Sequence, residues 1–155
     1  MLEIIPIVGR VKFPITLDPS SWIFDDRKIA LEDFLADDFD LDRFLEEQKD
    51  ERAGAAMPRL AKSRRRYNKE EWLTRSFVIP VKPFIENAEP LEGAAAVIFE
   101  TADGKRTSLP LETVMKGAFQ FSRDGKILKE DGPLVYLDKQ APDKPVTHIT
   151  RIHVE

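Results

Sequence analysis

The chain has 155 residues, 34% of them charged, with no cysteine and a formal net charge of −4. That length favours one domain with a real hydrophobic core. The missing cysteine excludes disulfides, thiolate metal sites and cysteine nucleophiles, and the negative balance argues against bulk attraction to nucleic acid or anionic membrane.

The opening run from Leu2 to Val8 is short, interrupted by Glu3 and Pro6, and has no basic flank. It is not expected to serve as a secretory signal, no later run is long enough to span a membrane, and a cytoplasmic location is the default expectation. Val11, Phe13, Ile15 and Leu17 then alternate with Lys12, Pro14 and Thr16, which predicts a half-buried strand. Pro14 has no N–H for a ladder and places this strand at an edge or a bulge. Asp18-Pro19-Ser20 predicts a turn, and Trp22-Ile23-Phe24 a short buried strand.

Between Asp25 and Arg75 the pattern becomes helical. Leu31, Phe34 and Leu35, then Leu41, Phe44 and Leu45, recur at helical spacing, with Asp40 as N-cap of the second helix. Ala53 to Ser63 lacks periodicity and is expected to be a mobile loop. Asn68-Lys69-Glu70-Glu71 has the form of a capping box opening a short helix through Trp72 and Leu73. The region from 25 to 75 reads as a charged helical insertion on a single domain spanning 1–155. Its apolar Leu41, Phe44, Leu45 and Trp72 need a surface to bury against.

Charge divides this insertion in two. Asp25 to Glu51 holds twelve acids and four bases, a net of −8, and Arg52 to Arg75 holds eight bases and two acids, a net of +6. Three readings stand: an electrostatic clasp within the chain or with a dimer mate, a docking site for phosphate, acidic protein or RNA at Arg64, Arg65, Arg66 and Tyr67, or two solvated faces that never meet. Asp38, Asp40 and Asp42 imitate a calcium loop, but Arg43 stands where the glycine belongs and Lys49 where the bidentate glutamate belongs. The acids are read as a solvated, helix-starting cluster.

Further on, Phe77-Val78-Ile79 is followed by Pro80 and Pro83, which prevent a long regular element. Val97-Ile98-Phe99 and Thr107-Ser108-Leu109 predict strand arms around Ala102-Asp103-Gly104. Pro110 suits the first turn of a helix and Gly117 its left-handed cap. Phe119 to Phe121 and Ile127-Leu128 flank a second turn at Asp124-Gly125. His148 and His153 are placed on the last strand, pointing to opposite faces, so neither a metal pair nor a catalytic base is expected. No Ser-His-Asp set, glycine-rich phosphate loop or HExxH helix is present. The class is α+β: a mixed, mainly antiparallel sheet with a few short helices.

Several of these pieces follow a known order. DG and SLPL between Asp103 and Leu111, DGKIL at Asp124–Leu128, GPLVYL at Gly132–Leu137 and the closing THITRIHV resemble the C-terminal half of the molybdopterin-binding domain of sulfite-oxidase-type oxidoreductases, over Glu89 to Val154. Val8-Gly9-Arg10-Val11 is a fainter echo. The resemblance implies that family's fold. In the family a cysteine thiolate holds the molybdenum; it would fall upstream of Pro80, where this chain has its charged insertion and no cysteine. No catalytic, metal or cofactor-binding residue is therefore carried over, and no cofactor is expected.

A second resemblance rests on ITLDPSSWIFDDRKIAL at Ile15–Leu31, with NAEP at Asn87–Pro90 and EDGP at Glu130–Pro133. These are similar to a small family of single-domain bacillar proteins, some of which bear a peptidyl-prolyl isomerase label. Neither the cyclophilin nor the FKBP signature occurs in the chain. The expected function is a non-catalytic binding or interaction module on a sulfite-oxidase-like scaffold, with a protein or small-molecule partner. The alternatives are an enzyme, either a prolyl isomerase or a remnant molybdopterin-type oxidoreductase, and a nucleic-acid binder using Arg64 to Tyr67. With the thiolate gone, the insertion is expected to pack over the region where a pterin would enter.

Overall fold

The computed structural model describes residues 4–53 and 67–155. Two five-stranded sheets dominate them. The first contains β1 (Ile5–Gly9), β2 (Ile15–Leu17), β5 (Ala96–Thr101), β6 (Arg106–Pro110) and β12 (Ile149–Val154), in the order β2-β1-β12-β5-β6. Only β1 and β12 run parallel; the other neighbours are antiparallel. The second sheet contains β3 (Ile29–Ala30), β4 (Phe77–Pro80), β7 (Ala118–Gln120), β10 (Val135–Asp138) and β11 (Ala141–Val146), in the order β11-β10-β7-β4-β3, antiparallel throughout. A two-stranded hairpin, β8 (Ser122–Arg123) and β9 (Lys126–Ile127), stands apart.

The main core fills the space between the sheets. Ile5, Ile7, Val97, Phe99 and Ile152 from the first meet Phe77, Ile79, Phe119 and Tyr136 from the second. On the second sheet the intervening side chains are buried as well, and Val78, Ala118, Val135 and Leu137 form a separate cluster with Phe34 and Leu128. A sheet buried on both faces needs unbroken apolar runs, which is why FVIP and VYL do not alternate. The outer face is covered by the segment that follows β3: α1 (Leu31–Phe34) and α2 (Leu41–Ala53) bring Leu31, Leu35, Phe39 and Phe44 onto it. The charged region thus enters the sheet through β3 and buries its back.

The expected caps form. Asp40 accepts from the Arg43 N–H at 3.1 Å, starting α2. In α3 (Lys69–Trp72) the Asn68 side chain accepts from the Glu71 N–H at 2.8 Å and the Asn68 N–H donates to the Glu71 carboxylate at 3.1 Å. The α4 helix (Lys82–Ala88) begins around Pro83, and α5 (Leu111–Val114) follows Pro110 directly.

Five expectations fail locally, in whole or in part. The strand over 11–17 survives only as β2, because the N–H groups of Lys12 and Phe13 donate to Glu89 and Ala88 instead of to a strand. Trp22-Ile23-Phe24 is part of a 3₁₀ helix, Pro19–Phe24, started by Asp18 accepting from the Ser20 N–H, so Trp22 is buried while Phe24 faces solvent. Gly117 does not take a left-handed conformation; a β-carbon there would lie 2.4 Å from the Tyr136 ring, so close packing is what requires glycine. His148 precedes β12 in a left-handed conformation (φ 61°), and only His153 is on the strand. The turn at Asp124-Gly125 forms with φ of 52° and 81°, but its arms are β8 and β9, since Phe119 belongs to β7 in the second sheet.

Candidate docking groove

Arg64, Arg65 and Arg66 lie outside the described residues. Tyr67, the fourth residue of that motif, is half-buried and held from two sides. Its hydroxyl donates to Asp33 at 2.7 Å and accepts from the Ala30 N–H at 3.0 Å, and its ring meets Phe77 edge-on at 5.0 Å. Tyr67 therefore ties the start of α3 to β3 and α1. Arg75 adds to the tie, with Glu32 and Glu71 each at 2.6 Å and Asp33 at 3.5 Å. Burial works to lower the Arg75 pKa, but the hydrogen bonds to Glu71 and Glu32 and the nearby charges outweigh it, and the net shift is upward. At these residues the basic and acidic stretches touch within one chain.

The histidines do not converge. His148 Nε2 is 2.6 Å from the Glu130 carbonyl and Nδ1 is 2.8 Å from the Thr147 hydroxyl, while His153 stands on β12 opposite Ile98. Among the described residues no group of three or more His, Asp or Glu side chains is placed to hold a metal ion. With no cysteine in the chain, the residues present do not fit a thiolate-anchored molybdenum cofactor, and no step through one is derived.

The apolar surface is better organised. Phe24, Leu73 and Ile127 are 73%, 72% and 63% exposed, values that leave most of each side chain in water. All three line one groove of about 350 Å³ together with Ile23, Trp72 and Phe121. Three scattered apolar residues would be ordinary; three on one concavity beside Trp72 and Phe121 make it the candidate site. Sequence periodicity could not reveal it, because Phe24 comes from the 3₁₀ helix, Leu73 from the end of α3 and Ile127 from β9.

Its walls are fixed. The Trp72 Nε1–H donates to the Tyr67 carbonyl at 3.0 Å, the Lys28 ammonium lies 4.5 Å from the Trp72 ring centre, and the Phe24 ring meets Trp72 edge-on at 6.0 Å. The Gly125 N–H donates to the Arg75 carbonyl at 3.0 Å and the Asp124 N–H to the Ser76 hydroxyl at 3.1 Å, which presses the β8–β9 turn onto the end of α3. A β-carbon on Gly125 would lie 2.1 Å from the Leu73 carbonyl oxygen, so the approach requires glycine as much as the turn does.

The architecture is α+β, with mostly antiparallel sheets and short helices. No family model matches the chain, and no curated protein does. Among solved structures it is similar to the sulfane dehydrogenase SoxCD of Paracoccus pantotrophus, with a TM-score of 0.55 at 11% identity over 98% of this chain. The chain spans 38% of the length of that protein, and at this identity the likeness is one of fold. It supports the sulfite-oxidase-like fold expected from the C-terminal motifs. Among the described residues no helix is long and apolar enough to cross a membrane.

Proposed function

We propose that the protein is a non-catalytic interaction module, built on a sulfite-oxidase-like scaffold, that docks a segment of a partner protein in the groove between the 3₁₀ helix, α3 and β9. The observation that carries this reading is the convergence of exposed Phe24, Leu73 and Ile127 on one groove. Fully burying one such side chain is worth about 1.5–3 kcal/mol, so a partner covering two or three offsets much of the cost of association. The chain's lack of cysteine supports a binding role over the chemistry its motif family performs.

Site-specific photo-crosslinking inside cells tests the reading. A photoreactive phenylalanine at position 24 should give a defined adduct that disappears with Leu73→Asp. The same group at Phe13, which is 48% exposed and does not line the groove, should give none. Equal adducts at both positions, or none at position 24, would falsify the assignment.

A further inference from the structure

We infer that the segment docked in this groove is acidic: large apolar side chains for the floor, flanked by aspartate or glutamate. The inference rests on the docking reading above and adds the chemistry of the partner. Among the described residues, Lys69 of α3 and Lys126 of β9 are the only charged ones lining the groove. Neither ammonium is paired with a carboxylate among the described residues. By contrast, the guanidiniums of Arg27, Arg75 and Arg123 each sit against an acid.

Two of the nearby acids are engaged elsewhere. Asp18 accepts from the N–H and hydroxyl of Ser20, and Glu71 is engaged by Arg75 and by the Asn68 N–H. The groove therefore presents an apolar floor with positive charge on two of its elements, which attracts carboxylates and disfavours a basic segment by like-charge juxtaposition. Its concave form suits a side-chain ridge of a protein better than a lipid surface, which protruding apolar residues would enter.

Panning a displayed library of random twelve-residue peptides against the full chain tests the inference. Peptides that bind wild type and are lost with Leu73→Asp should be net negative and contain at least two large apolar residues. Against the Lys69→Glu/Lys126→Glu variant, the same peptides should bind at least about tenfold more weakly, a loss on the scale of like-charge opposition at an interface. Leu73 is exposed, so Leu73→Asp should leave the circular dichroism spectrum unchanged. Leu73-dependent peptides that are neutral or basic overturn the acidic partner and leave the docking reading standing. The absence of any Leu73-dependent peptide overturns both. Lysine-dependent binding to phosphatidylserine vesicles without peptide binding assigns the groove to a membrane and overturns the inference, as does Leu73-dependent self-association in sedimentation.

Discussion

The guanidinium of Arg75 meets the carboxylate of Glu32 at 2.6 Å, joining the basic stretch of the chain to the acidic one. Beside it the Tyr67 hydroxyl donates to Asp33 at 2.7 Å. The two contacts should differ in worth. Glu32 keeps 73% of its side chain in water, so Glu32→Gln should change stability by no more than about 1 kcal/mol. Tyr67→Phe removes a half-buried hydrogen bond to a charged group and should cost about 1.5–3 kcal/mol. Urea unfolding checks this through the midpoint, with the slope unchanged. Equal losses for the two variants would reverse the ranking.

Gly117→Ala should destabilise the protein by about 1–3 kcal/mol through overpacking. Tyr136 cannot retreat easily: it is 1% exposed, its hydroxyl donates to the Thr113 carbonyl at 3.2 Å, and its ring stacks on Phe99 at 5.0 Å. At about 2–4 °C per kcal/mol for a chain of this size, the melting temperature should fall by several degrees. A melting temperature unchanged in calorimetry would show that the ring can move.

Acid should weaken one identifiable tie. Arg123 donates to Asp131 at 2.9 and 2.5 Å, and this hydrogen bonding holds the Asp131 carboxyl below its ordinary 3.8 despite partial burial. A carboxyl lowered by folding adds stability above its unfolded pKa, and that stability is lost as pH falls through the folded value. Asp131→Asn should therefore lower stability at neutral pH and flatten its decline below about pH 4, the ordinary aspartate range. Arg123 is 47% exposed, so salt should reduce the difference. Parallel pH–stability curves for the two proteins would remove Asp131 as a source of acid sensitivity.

Metal analysis of protein purified from molybdenum-replete cells should find no stoichiometric molybdenum or pterin. A protease-coupled assay on proline peptides should show no turnover that survives re-purification. Stoichiometric cofactor in the first, or saturable turnover abolished by Trp72→Ala in the second, would replace the binding module with an enzyme.

Much of the framework was legible in the residue order because its causes are local. The capping box at Asn68, the cap at Asp40 and the turns at Asp103-Gly104 and Asp124-Gly125 depend on groups a few residues apart. The C-terminal motifs likewise pointed to a scaffold that the SoxCD likeness supports. Trp22-Ile23-Phe24 misled because apolar content alone cannot separate a strand from a 3₁₀ turn that buries one residue and exposes another.

Gly117 misled for a different reason: the constraint on it is a ring nineteen residues later, brought against it by the pairing of β7 with β10. The candidate groove lay beyond sequence reasoning altogether. Phe24, Leu73 and Ile127 share no period and no motif, and become neighbours only when the β8–β9 turn packs onto the end of α3. Sequence determines which residues cap, turn and alternate, because those effects act over a few bonds. Which exposed side chains share a surface is decided by long-range packing, and that is where the candidate groove is assembled.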